Sequence, residues 1–234
     1  MLYITQPTYF PWIGFFSFVT NSKKVVFLDD VQFVRGKWQQ RNKICNKNTF
    51  QYLTVPVKKK GLYKQNLNEV ELKDNFFFNA HLEKIRHTYS KAKYFNEIYQ
   101  ELNSLKNIIL STNKLCKVNL IVIEKILNLL KIDTTFVLSS ELNASGKKSE
   151  KLKNICKKMN YKDLLNNEGS KEYMENDVEM FNKNEINLHF FKYENVKYKQ
   201  LSDNFINNLS ILDLLFNEGT DCKDILNKGL KKIT

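Results

Sequence analysis

The first thirty residues alternate between apolar runs and polar breaks, and the pattern predicts a strand, a helix and a second strand. A β-prone run over Leu2–Gln6 is followed by two prolines, and Pro11 stands where a helix over Trp12–Thr20 begins. The next run, Lys24–Leu28, is continuously apolar after its first residue and ends before two aspartates, which is typical of a strand buried on both faces. Strand, helix and strand within so short a stretch predict a parallel β-α-β unit.

The rest of the chain also alternates between strand-like and helix-like patterns. Two β-prone runs are separated by Asn46–Thr49, a polar turn that indicates a hairpin. The same periodicities predict strands at Lys43–Cys45, Phe50–Val57, Asn68–Leu72, Thr134–Leu138, Tyr161–Leu165 and Ile186–Phe191, and helices at Phe77–Ser90, Tyr94–Leu110, Asn113–Lys131, Ser149–Met159, Lys171–Asn182, Phe205–Phe216 and Lys223–Leu230. We therefore expect an α/β fold in a single domain over residues 1–234. It has a mostly parallel sheet flanked by helices in Rossmann-like layers, a β-hairpin, and a helical insertion or lid over residues 75–131.

The chain carries a strong positive charge. Its 234 residues include 37 Lys and Arg against 25 Asp and Glu, a formal charge of +12, and 42% are hydrophobic, which is enough for a packed core. Only Arg35, Arg41 and Arg86 are arginines, whereas surfaces that bind nucleic acid usually combine Arg with Lys. Abundant Lys, Asn and Ile are typical of an AT-rich genome. We therefore interpret most of the charge as a solvated surface and expect no nucleic-acid partner.

The cysteines and the most apolar segments indicate the cellular compartment in which the protein works. Cys45, Cys116, Cys156 and Cys222 are widely spaced, with no CxxC pair, so we expect reduced thiols and neither disulfides nor a zinc site. The first residues lack the basic and apolar regions of a signal peptide. The apolar stretch Val118–Leu130 is interrupted by polar residues, as in an amphipathic helix. These features predict a cytoplasmic protein with no membrane span.

Polar residues follow the predicted strands at the ends where α/β sheets bind ligands. Gln6 ends the first strand, and Asp29 and Asp30 follow the second, with Gln32 just beyond them. Neighbouring strand residues point to opposite faces, so at most one of the two aspartates faces a given crevice. Asp30 is a candidate general base toward an amine or hydroxyl, and Asp29 and Gln32 are candidate substrate contacts. The alternative is that the aspartates only end the strand and cap a turn.

The segment after the second strand holds a cluster of aromatic, basic and amide side chains. Trp38, Arg41 and Asn42 lie close together in sequence, and Arg41 has the planar geometry that grips a phosphate or a carboxylate. Trp38 is suited to stacking on a base or a sugar. Lys148, which follows Gly146 at the start of a predicted helix, is a second candidate for an anion contact. The alternative is a surface arginine, a packed tryptophan and a solvated lysine.

The histidines do not form a metal site by their spacing. His81 and His87 are six residues apart on one predicted helix, so they lie on nearly opposite faces. His81 is a second candidate proton acceptor, although a histidine at such a position is more often structural. The chain contains no GxSxG, P-loop or GxGxxG motif, and no metal site is predicted.

The opening segment is the most specific part of the sequence. Residues 6–16, QPTYFPWIGFF, resemble the QPxYxPxxGYF-like turn of the WbqC-like family, with Phe15 in place of the tyrosine. The likeness continues through FLDDVQF at Phe27–Phe33, WQQRNKI at Trp38–Ile44 and LTVPV at Leu53–Val57. Polar and aromatic residues at the resembling positions near predicted strand ends are Gln6, Tyr9, Asp29, Asp30, Gln32, Trp38, Arg41 and Asn42.

The resemblance implies a role in bacterial surface-polysaccharide biosynthesis. The implied reaction is the transfer of an acyl or aminoacyl (glycyl-type) group to the amino group of a nucleotide-linked amino sugar, so the expected substrate is a nucleotide sugar. The donor is left open between an acyl thioester and an acyl adenylate made from ATP. In the second case Mg²⁺ would lie near Asp29 or Asp30. Trp38 or Tyr9 would stack on the base or sugar, and Arg41, like Lys148, would bind phosphate or a carboxylate.

Two other functions stay open at this point. One is an ATP- or nucleotide-dependent α/β enzyme of other specificity, of the nucleotidyl-transfer or ligase type, although the paired histidines of nucleotidylyltransferases are absent. The other is a non-catalytic assembly factor of a glycan pathway. The sequence also leaves open whether the chain forms a homo-oligomer.

Overall fold

A computed structural model describes residues 1–58 and 64–233 and has a six-stranded sheet at its centre. The strands of this sheet and of a separate hairpin are β1 (Leu2–Thr5), β2 (Lys24–Phe27), β3 (Arg41–Asn46), β4 (Thr49–Thr54), β5 (Thr135–Leu138), β6 (Asp163–Asn167), β7 (Asn187–Tyr193) and β8 (Leu230–Lys232). The order in the sheet is β5-β2-β1-β6-β7-β8, and all neighbours are parallel except β7 and β8. The mostly parallel sheet is confirmed, and β3 and β4 form the predicted hairpin.

Helices connect the strands and pack against the sheet. They are α1 (Ile13–Thr20), α2 (Phe77–Tyr89), α3 (Phe95–Asn103), α4 (Lys106–Leu110), α5 (Leu115–Leu129), α6 (Ser139–Leu142), α7 (Lys148–Lys158), α8 (Lys171–Glu175), α9 (Val178–Asn182), α10 (Ile211–Glu218) and α11 (Lys223–Gly229). Side chains of α2–α5 belong to the same hydrophobic cluster as those of α1. The assignment of residues 75–131 to an inserted subdomain stays a prediction.

Successive residues of the central strands face two different hydrophobic clusters. Tyr3 and Val25 point into a large cluster with α1, α5 and α10, whereas Leu2 and Val26 point into a smaller cluster with α7. Each of these four side chains is 4% exposed or less. The apolar pattern of β2 therefore comes from burial on both faces, as predicted.

The chain adds strands first on one side of β1 and then on the other, and this change of side determines where a ligand cleft can form. From β1 the chain moves to β2 and β5 on one side, and later to β6, β7 and β8 on the other. In open α/β sheets a crevice forms outside the carboxyl ends of the strands that flank such a reversal. Here these strands are β1 and β6, which end at Thr5 and Asn167.

The predicted strand at Asn68–Leu72 is wrong. A single turn of 3-10 helix covers Leu67–Glu69 instead, and the residues after it form only isolated bridges. The backbone N–H of Asn66 donates to the Glu69 carboxylate at 2.7 Å, which caps this turn. The local cap therefore outweighs the β-prone composition of the segment.

The C-terminal part differs from the prediction in two places. The helix predicted at Phe205–Phe216 begins only after Ser210, whose hydroxyl caps α10 by accepting from the Leu212 N–H at 3.3 Å. The short strand β8 was not predicted, and it pairs antiparallel with the edge of β7.

Two predicted helices are each divided by a turn. In Tyr94–Leu110, the Ser104 hydroxyl donates to the Glu101 carbonyl at 2.7 Å and competes for an acceptor that a continuing helix would use. In Lys171–Asn182, the break falls at Asn176–Asp177, two residues with low helix propensity.

A buried carboxylate connects the long segment before α10 to the core. Asp213 is fully buried and accepts from the Tyr89 hydroxyl at 3.0 Å, the Tyr198 hydroxyl at 2.7 Å and the Gln200 amide at 2.9 Å. Burial raises the pKa of Asp213, and these three donors oppose that rise. The network joins α2, the segment of Tyr198 and α10 across large sequence separations.

Replacing Asp213 tests this network. Asp213→Ala leaves the hydroxyls of Tyr89 and Tyr198 without their acceptor and removes one of the acceptors of the Gln200 amide, so we expect the free energy of unfolding to fall by about 3 kcal/mol. Urea unfolding at neutral pH measures the change. The exposed Asp221 provides the control, because Asp221→Ala removes only a 4.0 Å ion pair and should change stability by less than about 0.5 kcal/mol. Equal effects of the two substitutions would contradict the structural role of Asp213.

Candidate functional site

Two clefts open at the carboxyl edge of the sheet and share Gln6. The first has a volume of about 720 Å³ and includes Thr5 and Asn167, at the ends of β1 and β6. The second has a volume of about 770 Å³ and includes Asp30, which follows β2. Their common border is therefore at the crevice that the strand order predicts. Each volume is suitable for a nucleotide-sized molecule.

The turn over Gln6–Trp12 shapes this edge and contains an unfavourable backbone conformation. Phe10 has a φ of 42°, in the left-handed region that bulky residues rarely adopt. The Asn42 amide donates to the Phe10 carbonyl at 2.8 Å, and the Tyr9 N–H donates to the Trp38 carbonyl at 3.1 Å. These bonds attach the turn to the segment that leads into β3 and hold the strained residue in place.

Asn119 of α5 joins the same two segments from inside the protein. It is fully buried, and its amide donates to the Pro7 carbonyl at 3.0 Å and the Gln39 carbonyl at 2.8 Å. Sequence reasoning missed this residue, although a signal existed, since Asn119 interrupts the buried face that includes Val118 and Val122. An uncharged polar residue on such a face indicates a hydrogen-bonding role.

Trp38 provides an exposed aromatic surface at the first cleft. It is 49% exposed and lines the cleft together with Lys37 and Lys43. The Lys43 ammonium lies 5.8 Å from the centre of the Trp38 ring and 4.2 Å from that of Phe50. An aromatic ring beside one ammonium group, in a cleft that a second lysine also lines, can bind a base and a phosphate together.

Two glutamine side chains hold the loop that carries Trp38. The Val34 N–H donates to Gln39 Oε1 at 2.8 Å, and the Gly36 N–H donates to Gln40 Oε1 at 3.0 Å. Gly36 has a φ of 71°, which glycine adopts without strain. The loop is therefore fixed by its own sequence neighbours and presents Trp38 to the cleft.

Gln6 is exposed at the border of the two clefts, and its amide is held in one orientation. Gln39 Nε2 donates to Gln6 Oε1 at 2.9 Å, so the oxygen already has a donor. Across residues 1–58 and 64–233, no side-chain or backbone acceptor is found for the Gln6 amide nitrogen. This NH₂ group is therefore available to donate to an oxygen atom of a ligand.

Tyr9 and His81, two of the predicted site residues, are buried together and line neither cleft. Tyr9 is 0% and His81 is 4% exposed, and the phenol oxygen lies 2.9 Å from His81 Nδ1. Burial, assisted by the Lys84 ammonium, lowers the pKa of His81 to about 3, so the imidazole is neutral at physiological pH. This location does not fit the stacking role predicted for Tyr9 or the proton-accepting role predicted for His81.

Asp29 is a buried carboxylate with a structural environment. It is 2% exposed and accepts from the Ser140 N–H at 3.0 Å and hydroxyl at 2.6 Å, and from the Asn68 amide at 3.3 Å. The Ser139 oxygen lies 3.2 Å from Asp29 Oδ1, but its single proton goes to the nearer Asp30. The three donors occupy both oxygens of Asp29 and attach the end of β2 to the start of α6. A carboxylate so fully hydrogen-bonded does not fit the Mg²⁺ ligand role considered for Asp29.

Asp30 lines the second cleft but is already paired. Its Oδ2 lies 2.6 Å from the Lys151 ammonium, and its Oδ1 accepts from the Ser139 hydroxyl. Burial raises the pKa of Asp30, but the hydrogen bonds from Lys151 and Ser139 outweigh this, and the pKa lies below its ordinary value. Such a carboxylate is a weak proton acceptor and a poor Mg²⁺ ligand, so the geometry does not support the general-base role.

The remaining predicted site residues are distributed differently. Gln32 and Lys148 line the second cleft, and Asn42 lines the first. Arg41 lines neither cleft, and its guanidinium lies 4.1 Å from the centre of the Tyr52 ring. Arg41 and Lys43 share one face of β3, but Arg41 packs against Tyr52 of the paired strand, whereas Lys43 reaches the first cleft. The predicted phosphate contact of Arg41 does not fit this location.

Sequence reasoning missed several lysines and amides that line the two clefts. Such residue types are common along this chain, so neither their spacing nor their composition distinguishes them before the topology is known. They are Lys37, Lys43, Asn66, Lys151 and Asn208.

The described residues also bear on metal binding, on membrane insertion and on the reactivity of the cysteines. Residues 1–58 and 64–233 contain no group of three or more His, Cys, Asp and Glu side chains that could hold a metal ion, and no helix long and apolar enough to cross a membrane. The four cysteines are free and buried, and burial raises the pKa of Cys45 to about 11 and those of Cys116, Cys156 and Cys222 to about 12. These thiols stay protonated at neutral pH and are poor nucleophiles.

The low pKa of His81 predicts a loss of stability in acid. Below about pH 6.5 the unfolded chain protonates this residue, whereas the folded protein does not until about pH 3, so the free energy of unfolding falls as the pH falls. His81→Gln removes this dependence. We therefore expect the stability advantage of the native protein over His81→Gln to shrink by about 2 kcal/mol between pH 7.5 and pH 5 in urea unfolding.

A matched histidine provides the control for this experiment. His87 is exposed on the same helix, so the difference between the native protein and His87→Gln should stay nearly constant over this pH range. A constant difference for His81→Gln as well would show that His81 titrates normally in the folded protein.

The strained turn predicts an effect of Asn42→Ala. Removing the amide leaves the buried Phe10 carbonyl without its donor, and we expect the free energy of unfolding to fall by about 2 kcal/mol. Backbone amides of residues 6–12 should also exchange faster with deuterium. Asn46 is exposed on the same strand, and Asn46→Ala should cost less than about 0.5 kcal/mol. Unchanged exchange in the turn would contradict this role of Asn42.

Comparisons with known proteins agree with the resemblance in the opening segment. The sequence profile of the WbqC-like protein family matches residues 6–225, a range that includes the strained turn, all residues that line the second cleft and all that line the first except Tyr3 and Thr5. The uncharacterized protein Rv1507c of Mycobacterium tuberculosis (strain ATCC 25618 / H37Rv) is 30% identical over 224 residues, which cover 95% of this chain and 96% of that protein. No solved structure gives a significant match. Since the family match spans nearly the whole chain, this protein belongs to the WbqC-like protein family.

Proposed function

We propose that this protein is an enzyme of bacterial surface-polysaccharide biosynthesis that acts on a nucleotide-linked amino sugar. It transfers an acyl or aminoacyl (glycyl-type) group to the amino group of the sugar. The family resemblance supports the pathway and the reaction class, and the first cleft supports the substrate class.

The exposed Trp38 ring beside Lys37 and Lys43 is the observation that carries the proposal. A nucleotide sugar offers a flat base and a diphosphate, and these three side chains provide a stacking surface and two cations for them. A cleft of about 720 Å³ is large enough for such a molecule. Its position at the ends of β1 and β6 is the one at which α/β folds bind nucleotides.

The proposed reaction forms an amide bond between the acyl carbon and the nitrogen of the sugar. The amine attacks the carbonyl carbon, the bond to the thiolate or phosphate of the donor breaks, and the amine proton passes to the leaving group or to water. Negative charge develops on the carbonyl oxygen during the attack. The free NH₂ of Gln6 and the amides of Asn167 and Asn208 supply donors for that oxygen.

Positioning carries more of the proposed catalysis than proton transfer does. The described residues that line the first cleft include neither a carboxylate nor an imidazole. An amine and an acyl donor held side by side react faster because the entropic cost of bringing them together has already been met by binding.

Substitution of Trp38 tests the substrate site. Trp38→Ala removes the stacking surface, so we expect the Kd for UDP or dTDP, measured by calorimetry, to rise about tenfold or more. Phe76 is 69% exposed and lines neither cleft, and Phe76→Ala should leave the Kd within about twofold. No binding of either nucleotide, or equal binding by both variants, would contradict the nucleotide site.

The lysines of the second cleft favour one alternative, a nucleotide-dependent enzyme of the ligase or nucleotidyl-transfer type. Incubation with ATP and candidate amino acids, with pyrophosphate measured, separates the two functions. Transfer from a thioester without ATP turnover supports the acyltransferase with a thioester donor. ATP turnover without transfer to an amino sugar supports the alternative. A normal surface glycan in cells that carry only the Gln6→Ala, Trp38→Ala protein would support a non-catalytic assembly factor.

A further inference from the structure

The second cleft has a surplus of positive charge that the proposed nucleotide-sugar site does not use. Among the described residues that line it, Lys147, Lys148 and Lys151 stand against the single carboxylate of Asp30. A concave space in which cations outnumber anions attracts a negatively charged ligand. The cleft therefore favours an anion, and its volume of about 770 Å³ allows a molecule much larger than a single phosphate.

Lys151 is the best-defined cation of this cleft. It is 9% exposed, and its ammonium lies 2.6 Å from Asp30 Oδ2. The other oxygen of Asp30 accepts from the Ser139 hydroxyl, so the carboxylate is itself held in place. An ammonium carries three donors, and Asp30 is its one acceptor within the described part of the chain. Asp30 thus fixes the Lys151 ammonium in the wall of the cleft and leaves donors for a ligand.

A sharp bend brings the other two lysines to the same cleft. Gly146 has a φ of 94°, and a Cβ at this position would lie 2.8 Å from the Glu150 side chain, so the bend requires glycine. The bend leads directly into α7, whose first turn has backbone N–H groups without partners inside the helix. Lys147 and Lys148 therefore flank a site that also offers backbone donors.

We propose that the second cleft binds the phosphate group of the acyl donor, so that the two substrates of the reaction meet at Gln6. That the ligand is the acyl donor rests on the proposed function, whereas that it carries a phosphate group rests on the charge and shape of the cleft itself. Asp30 acts as a positioning residue for Lys151. Apolar side chains in the lining contact the remainder of the donor, namely Leu28, Val31 and Leu152.

Gln6 lines both clefts, and its position fixes where the two substrates meet. The amine of the sugar comes from the first cleft and the acyl carbonyl from the second, and the Gln6 NH₂ donates to the carbonyl oxygen. The new C–N bond forms as the C–S or C–O bond of the donor breaks. The leaving thiolate or adenylate phosphate stays in the second cleft, and the amine proton passes to it or to water.

Calorimetric titration of the full chain with coenzyme A and with ATP tests the site, without and with saturating UDP. Coenzyme A stands for a thioester donor and ATP for the adenylate route. We expect one of them to bind, with the same Kd in the presence of UDP, and Lys148→Ala to raise that Kd about tenfold. Lys157 is exposed on the same helix, and Lys157→Ala should leave the Kd within about twofold.

A double-substitution cycle tests the positioning role of Asp30. Asp30→Asn should raise the Kd about fivefold in the native background and leave it unchanged in the Lys151→Met background, where the oriented ammonium is absent. Equal effects in the two backgrounds would overturn the positioning role. Lys148→Ala changes an exposed residue, so it tests the site even where Asp30→Asn does not fold.

The two proposals fail in different ways. Absence of binding by both coenzyme A and ATP up to about 5 mM overturns the donor site, and so does binding that UDP competes away or that Lys148→Ala leaves unchanged. Absence of UDP binding contradicts the nucleotide-sugar site instead, while coenzyme A or ATP binding sensitive to Lys148→Ala still supports the phosphate site. Binding of coenzyme A identifies a thioester donor, and binding of ATP identifies the adenylate route.

Discussion

The first cleft depends on the hydrogen bond from the Asn42 amide to the Phe10 carbonyl, and the second cleft shares Gln6 with the first. This hydrogen bond holds a bulky residue at a φ of 42°, in a turn that would otherwise relax to an extended form. Asn119 reinforces the same junction by bonding to the backbone on both sides of it. Gln6 begins this turn, and Trp38 lies in the loop attached to it. Relaxation of the turn would therefore move the side chains of Gln6 and Trp38, which line the first cleft.

The polar residues at this edge of the sheet form an inner and an outer group. Asp29 and His81 belong to the inner group, which is buried and hydrogen-bonded to neighbouring elements. Gln6, Trp38 and Lys148 belong to the outer group, which is exposed in the clefts. The inner residues are too deeply buried to touch a ligand, but Asp29 attaches the end of β2 to α6, and His81 contacts Tyr9 in the turn that begins at Gln6.

The edge of the sheet at which the two clefts open could be predicted from the sequence, because it depends on local patterns. The apolar runs of β1 and β2 and the polar residues after them locate the carboxyl edge of the sheet. Individual roles could not be predicted, because they depend on register and on distant contacts. Asn42 bonds to the Phe10 carbonyl, Arg41 packs against Tyr52 of the paired strand, and Asn119 and Asp213 find partners far along the chain. The edge strand β8 pairs with β7, a partner that lies about forty residues away along the chain.

Hydrogen–deuterium exchange with and without a UDP-linked amino sugar tests the central claim most directly. The claim is that the first cleft, built from the turn after β1 and the loop before β3, is the substrate site. Bound nucleotide sugar should slow exchange in peptides that cover residues 5–12 and 34–43, because it contacts one segment and stabilises the other through their shared hydrogen bonds. Protection confined to other segments, or no protection at saturating ligand, would contradict the account.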